Sequence, residues 1–238
     1  MPKRAAPPRA VYVTPAHQFP LGVALSLERR LSLLAWTREN GIVLIEDDYD
    51  SEFRYFGRPI PSMKGLDGAA HVFLLGTFNK ALFPALRIGF MVVPQAWMDA
   101  IVELRLRTVR FPAPAPQKTL AAFIEEGHFA RHVRRMRELY GERLMALRGA
   151  VDSKLKGAMR LPEIEAGLQI PAYLADSVSA GEVGRRAKET HLDIWTVGHF
   201  AIHRSDINAL LLGFGAFTAH ELRSATEDLA RIVESARA

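Results

Sequence analysis

The chain contains no cysteine, which excludes disulfide bonds and metal sites built from thiolates. No apolar run approaches the roughly 20 residues that a helix needs to cross a bilayer. There is no internal repeat and no long low-complexity tract. A signal peptide is not expected, because no apolar stretch follows the basic residues near the N-terminus. These absences favour a globular protein without a membrane partner, and we predict a cytoplasmic location.

What remains is an ordinary globular composition. Of the 238 residues, 49% are hydrophobic and 24% are charged, and the formal net charge is +5. So mild a basic excess does not by itself argue for nucleic-acid binding. One predicted helix carries a cluster of arginines: Arg131, Arg134, Arg135 and Arg137. Their spacing covers more than one helical face, so a solvated surface and a nucleic-acid contact both stay open, and charge runs are usually the former.

Short apolar runs alternate with helical patterns in the first half of the chain. Strands are predicted at 10–15, 42–48, 71–78 and 87–94, and an amphipathic helix at 25–41. Ser26 suits the N-cap of that helix and Gly41 its end. Continuous apolar strands interleaved with a helix predict a parallel or mixed sheet covered on both faces.

Proline and glycine divide the second half. A helix is predicted from Pro94 to about Thr108, and the proline-rich segment 111–116 is expected to break the chain. Helical patterns resume from Gln117 to about Lys156, with an interruption at Gly127. Short segments follow, with strands predicted in AGLQIPAYL and NALLLGFGAF. The last helix begins at Thr218, with Glu221 at capping-box spacing.

These patterns divide the chain into three parts. We predict that 1–116 belongs to a large domain, that 117–156 forms connecting helices, and that 157–238 forms a smaller α+β lobe.

A lysine follows the third predicted strand. Lys80 stands in GTFNKALFPALRIG, where an amine at the sheet edge would be partly desolvated and nucleophilic. Thr77 and Asn79 offer hydrogen-bonding groups beside it, and Arg87 suits a phosphate or a carboxylate. Considered alone, Lys80 is better described as a solvated lysine beside a turn.

Two other strand ends are polar, and ligands of open α/β sheets bind beyond the carboxyl ends of strands. Asp47 and Asp48 close the second strand, with Tyr49 next to them. A carboxylate there could pair with a protonated pyridine nitrogen, although a Mg²⁺ or Ca²⁺ site and plain loop acids are the alternatives. The first strand leads into TPAHQFPLG, in which His17 is either a site residue or a structural histidine.

The three segments together are more specific than any one of them. TPAHQFPLG, then EDDYDSEFRYFGRPIP, then GTFNKALFPALRIGFMVVP resemble the pyridoxal phosphate (PLP) binding core of aminotransferase-like domains of fold type I. More narrowly, they resemble the MocR-type branch of the GntR family of bacterial transcription regulators, as does the segment 127–147. The resemblance covers roughly 10–150 and continues more weakly to the C-terminus.

The resemblance implies a fold and a cofactor. The fold is α/β, a partial large domain of a PLP-dependent transferase of fold type I with a mostly parallel sheet, plus a small C-terminal α+β lobe. Lys80 would form the Schiff base with PLP. Asp47 would pair with the pyridine nitrogen, or Asp48 if the alignment is shifted by one residue. Tyr49 would hydrogen-bond the phenolic oxygen of the ring.

The remaining site residues are implied in the same way. Thr77 and Arg87 would contact the phosphate, and His17 would lie near the ring or the substrate. The family commonly has serine where this chain has Asn79, whose amide can still donate.

The function that the resemblance implies is effector sensing within a MocR-type regulator. Its ligand would be a small amine or amino acid, and a homodimer is a further expected partner. DNA would be bound only through a winged-helix domain, which this chain lacks together with the first part of the aminotransferase-like domain. A genuine PLP-dependent aminotransferase is the alternative. An arginine that binds the substrate carboxylate would favour it, and Arg204 is the candidate. An inactive fragment is the second alternative.

Overall fold

A computed structural model describes residues 8–58, 60–68, 71–109, 113–203 and 206–237, and these form two compact units. The first unit takes its described residues from Met1–Gln18, Val23–Glu52 and Arg58–Val133, and the second from Phe19–Gly22, Phe53–Gly57 and Arg134–Ala238. The three-part division expected from the sequence stays a prediction.

The first unit is built on a four-stranded sheet. Its strands are β1 (Ala10–Val13), β2 (Val43–Asp48), β3 (Val72–Thr77) and β4 (Gly89–Val92), in the order β1-β2-β3-β4. β1, β2 and β3 run parallel and β4 runs antiparallel, which confirms the predicted mostly parallel sheet. Asp48 stands opposite Gly76, so β2 and β3 end at the same edge of the sheet.

Two helices cover one face of this sheet. α1 (Leu27–Glu39) begins where predicted, because the Ser26 side chain accepts a hydrogen bond from the Arg29 backbone N–H. Beyond α1 the chain reverses at Gly41, whose φ of +62° favours glycine. α2 (Met63–Leu66) is a single turn. The small core between these helices and the sheet consists of Leu34, Leu44, Met63 and Val72.

Three further helices follow β4. They are α3 (Met98–Thr108), α4 (Pro114–Glu125) and α5 (His128–Lys154). Part of the expected break at 111–116 is helical, because α4 begins at Pro114. A proline in the first helical turn gives up an N–H that has no intrahelical acceptor there. The expected interruption at Gly127 is confirmed, since its φ is +75° between α4 and α5.

The second unit holds the small α+β lobe. Its antiparallel sheet has the order β5-β6-β8-β7, from β5 (Met159–Arg160), β6 (Gln169–Leu174), β7 (Trp195–Thr196) and β8 (Ala209–Gly213). The helices α6 (Ala180–Ala187) and α7 (Ala219–Ser235), with the second part of α5, contribute to its apolar core. The capping box of Thr218 and Glu221 is present at the start of α7.

Much apolar surface of the first unit is open. β4 is exposed along its whole length, with Phe90 47% and Met91 48% exposed. α3 has no buried residue, and its Leu104 and Leu106 are more than half exposed. Such an edge strand and such a helix favour association with other chains. Within the described ranges, no helix is both long and apolar enough to cross a membrane.

Candidate functional site

A buried arginine shapes the loop between β1 and α1. Arg30, on α1, is 2% exposed, and its guanidinium donates to three backbone carbonyls. The acceptors are Pro15 at 2.7 Å, Leu25 at 3.0 Å and Pro61 at 3.1 Å. Because Pro15 and Leu25 lie at the two ends of the loop, Arg30 fixes the path of the backbone that carries His17.

A buried carboxylate stands beside that arginine. Glu46 points to the helix-covered face of β2 and is 2% exposed. Its two oxygens accept the backbone N–H groups of Met63 and Lys64, each at 2.9 Å. The Arg30 guanidinium lies 4.0 Å from Glu46. The group therefore links β2, α1 and α2 underneath the strand ends.

His17 lies against the end of β2. It is 6% exposed, and its Nδ1 lies 2.8 Å from the Oδ2 of Asp50, which is 3% exposed. The Tyr49 hydroxyl donates to the His17 carbonyl oxygen at 2.7 Å and lies 3.2 Å from Nδ1. Burial, and next the negative charge of Asp50, raises the pKa of Tyr49, so its hydroxyl stays protonated at neutral pH.

The two aspartates that close β2 have different partners. Asp48 accepts from the hydroxyl of Ser51 at 2.6 Å and from its backbone N–H at 3.2 Å, so it shapes the following turn. Asp47 points to the other face and accepts from the Tyr12 hydroxyl on β1. That hydrogen bond is the main cause that raises the pKa of Tyr12 to about 12. Of the two carboxylates, Asp47 is therefore the one that is not bound to the turn after β2.

Lys80 is exposed in the turn that follows β3. Thr77 Oγ1 accepts the Asn79 backbone N–H at 3.2 Å, which closes the start of the turn. The next residue, Ala81, is buried and its carbonyl lies 2.9 Å from the Nε2 of His132 on α5. These contacts hold the backbone on both sides of Lys80 while its side chain stays accessible.

Arg87 ends the same connection. It is exposed and has φ of 53° and ψ of 34°, a left-handed conformation that is uncommon outside glycine. Its main chain turns there into β4. Within the described residues, no hydrogen bond or ion pair joins Lys80 or Arg87 to the acids of β2. Arg204 lies outside the described residues.

The structure thus brings the sequence-predicted residues to one edge of the sheet in two groups. His17 and Tyr49 are in contact, and Asp47 lies on the same strand end. Lys80 and its neighbours lie on the connection from the adjacent β3. Sequence reasoning missed Tyr12, the partner of Asp47, and Asp50, the partner of His17. Strand alternation pointed to Tyr12, since it shares a face with Asp47 one strand away.

The four arginines of the basic cluster are all exposed on α5. That placement fits a solvated helix face.

Comparison with known proteins identifies one matching family and several similar proteins. Residues 2–168 match the family "Aminotransferase class I and II". The chain is 38% identical to the uncharacterized HTH-type transcriptional regulator YhdI of Bacillus subtilis, over 93% of the chain and 47% of that protein. It is 36% identical to the probable rhizopine catabolism regulatory protein MocR of Rhizobium meliloti, over 93% of the chain and 45% of that protein. The chain therefore spans about half the length of the curated relatives it matches.

Solved structures show the same fold. The kynurenine aminotransferase of Pyrococcus horikoshii, in complex with PMP, superposes with a TM-score of 0.86 at 26% identity, over 95% of this chain and 56% of that one. LysN, the α-aminoadipate aminotransferase of Thermus thermophilus, complexed with N-(5'-phosphopyridoxyl)-L-leucine, gives a TM-score of 0.86 at 26% identity, over 96% and 59%.

Proposed function

Because the chain belongs to the aminotransferase class I and II family, we propose that it is the PLP-binding, effector-sensing part of a MocR-type transcription regulator. The relatives at 36–38% identity are regulatory proteins by name, one of them of the HTH type, and the chain corresponds to about half of each. In this proposal DNA is bound by a separate domain of the whole regulator. The effector is a small amine or amino acid, the working form is a homodimer, and the location is cytoplasmic.

The observation that carries the proposal is the set of groups at the carboxyl ends of β2 and β3. A carboxylate, a protonated phenol and an accessible lysine occupy that edge in Asp47, Tyr49 and Lys80. Two buried polar atoms beside them, His17 Nε2 and Asn79 Oδ1, have no hydrogen-bond partner in the described part of the chain. Buried polar atoms without a partner are costly, so their presence fits a site that a polar ligand completes. The residues therefore fit PLP.

Each side chain has a task that its surroundings support. Asp47 would hold a protonated pyridine nitrogen, because Tyr12 occupies only its Oδ2 and the carboxylate can accept a second donor. Tyr49 would turn its one hydroxyl hydrogen from the His17 carbonyl to the phenolic oxygen of the ring, since its raised pKa keeps the proton on the hydroxyl. Thr77 and Arg87 would hold the phosphate, Arg87 through charge-assisted hydrogen bonds. Lys80 would bind the aldehyde carbon through its amine.

When bound, PLP supplies an electron-withdrawing ring and an aldehyde that reacts reversibly with amines. In a sensor, Lys80 would hold the cofactor in the absence of effector, and a Lys80 side chain released by an incoming amine would change its contacts. An effector acts on the regulator only to the extent that it binds one conformation of it more tightly.

A genuine aminotransferase is the second candidate function. The structural likeness to amino-acid aminotransferases over nearly the whole chain favours it. It requires Lys80 to move a proton as well as to bind the cofactor. An inactive fragment is the outcome left if PLP does not bind.

The test is PLP binding by the purified chain. We expect a visible absorbance band when PLP is added, and a single pyridoxyl group on Lys80 after borohydride reduction and peptide mass spectrometry. Lys80→Ala should lose both. Lys118→Ala removes an exposed lysine of α4 and should keep both.

Several results decide between the candidates. No band, or the same band and adduct in Lys80→Ala, would refute the PLP site. Amino acids that shift the band without releasing a keto acid support a sensor, whereas keto acid formation at a steady rate supports an aminotransferase.

A further inference from the structure

We propose that Asp50 is a positioning residue that fixes the proton of His17 on Nδ1 and so presents Nε2 of the ring to the ligand. The inference rests on the proposed function, because it assigns a second layer of residues to the same site.

The contact geometry defines the tautomer of His17. The Oδ2 of Asp50 lies 2.8 Å from Nδ1, and an ionised carboxylate only accepts hydrogen bonds. Nδ1 must therefore carry a hydrogen. A neutral ring then has its lone pair on Nε2, which can accept a hydrogen bond from a bound molecule. Both side chains are buried, so water does not compete for this contact.

A second aspartate–histidine pair in the same unit shows what a purely structural pair looks like. Asp67 Oδ1 lies 3.0 Å from His71 Nδ1, and the Nε2 of His71 lies 3.0 Å from the hydroxyl of Thr37. Both ring nitrogens of His71 are thus satisfied by the protein. This pair stands at the amino end of β3, away from the strand ends that carry Asp47 and Lys80.

The pair of His17 and Asp50 differs in the hydrogen bonding of the second ring nitrogen. Its Nε2 is buried and has no partner among the residues that the structure describes, and the Oδ1 of Asp50 is in the same condition. A structural pair would leave no such atom, because an unmet buried polar group costs free energy. The open nitrogen belongs to the loop that Arg30 holds at the carboxyl edge of the sheet. The absence of a protein partner is explained if Nε2 accepts a hydrogen bond from the ligand.

Tyr49 adds a second connection between Asp50 and the site. Its hydroxyl donates to the His17 carbonyl and lies near the same Nδ1 that faces Asp50. Loss of Asp50 would therefore affect the orientation of two groups beside the ligand. Asp50 itself need not touch the ligand for this effect.

The test measures the tautomer first, in the cofactor-free chain. Nitrogen-15 NMR of the ring nitrogens, assigned with His17→Gln, should show Nδ1–H for His17 in the wild type. Asp50→Leu keeps the approximate volume of the side chain and removes the acceptor, and Asp50→Ala is a second variant in case leucine does not fit. Either should move the His17 proton to Nε2. The matched control is Asp67→Leu, which should change the signals of His71 and leave those of His17 as they are.

PLP binding is measured next on the same variants. The Asp50 variants should bind PLP about tenfold more weakly, by analogy with the outer partners of metal-ligating histidines. An Nδ1–H signal that persists in both Asp50 variants overturns the inference. So does a proton that moves to Nε2 without any change in PLP affinity. If both variants unfold, Asp50 is a structural residue and the positioning role fails.

The outcome is separable from that of the proposed function. A wild-type chain that binds no PLP refutes the proposed function, and the part of this inference that concerns the ligand falls with it. The tautomer of His17 and its dependence on Asp50 are read without any cofactor and are decided independently.

Discussion

Replacing Arg30 by methionine should destabilise the first unit by about 3–5 kcal/mol. The guanidinium makes three hydrogen bonds to backbone carbonyls at 2.7 to 3.1 Å, and a hydrogen bond from a charged group contributes about 1.5 kcal/mol or more. Methionine keeps most of the apolar stem of the side chain, so lost packing adds little. The loss of the positive charge 4.0 Å from the buried Glu46 adds to the cost, although Glu46 keeps its two bonds to Met63 and Lys64.

Such a loss is large for a unit with so small a core. Whole domains are stable by only about 5–15 kcal/mol, so Arg30→Met should open the loop between β1 and α1 long before the rest of the chain unfolds. Hydrogen exchange in increasing urea, read on peptides from β1 and α1, separates this unit from the C-terminal lobe. The control is Arg29→Met, which removes an exposed neighbour on the same helix and should change stability by less than about 0.5 kcal/mol.

The reasoning is refuted if Arg30→Met and Arg29→Met are equally stable. The three carbonyls would then find water or other donors without cost, and Arg30 would not determine the path of the loop. Because that loop carries His17, the same variant should also weaken PLP binding. A destabilised loop with unchanged PLP affinity would show that His17 takes no part in binding PLP.

Four other predictions follow from single contacts. In an ultraviolet titration one tyrosine should ionise near pH 12, and Asp47→Asn should bring the pKa of Tyr12 back towards 10. Because the raised pKa belongs to the folded chain, the stability that this hydrogen bond contributes is complete below about pH 10 and is lost as the pH rises through about 12. A wild-type chain without the late transition would contradict this prediction. Gly127→Ala should cost about 1 kcal/mol in urea unfolding, because φ is +75° there. Thr218→Ala should cost about 1 kcal/mol through loss of the capping box, and thermal unfolding of the C-terminal lobe measures it. Met91→Lys on the exposed β4 should reduce self-association in sedimentation velocity, and a wild type that is already monomeric would contradict that expectation.

The strands and helices that the sequence predicted were those with strong local signals. Ser26 and Gly41 mark the limits of α1, and Thr218 with Glu221 marks the start of α7, because caps act within one turn of the chain. The prediction that the segment 111–116 breaks the chain was wrong at Pro114, where α4 begins. A proline signals a break or a beginning equally well, and only its position relative to the first helical turn decides between them.

The short elements of the C-terminal lobe were not predicted. Strands of two residues such as Met159–Arg160 and Trp195–Thr196 are too short for any alternation to show, and they exist because β6 and β8 provide partners for them. The same limit applied to the site. Tyr12 lies outside the three segments and Asp50, although inside one of them, was assigned no role, and their importance comes from the groups that they contact across strands and loops.

The topology explains why residues so far apart in the sequence can form one site. His17 and Lys80 follow β1 and β3, and Asp47 lies at the end of β2. Because these parallel strands are adjacent, all three residues reach the same edge. The lengths of the connections between the strands matter little to this arrangement. The register along each strand matters a great deal, because a shift of one residue reverses every side chain.

That sensitivity separates the two aspartates of β2. Asp47 shares its face with Tyr12 on the neighbouring strand, while Asp48 is turned into its own loop and bound to Ser51. One residue inserted into β2 before Asp47 would move Asp47 to the place of Asp48 and Asp48 to the place of Tyr49, without removing either carboxylate. The loss of PLP binding in such a variant would then come from orientation alone, since both aspartates and Lys80 would still be present.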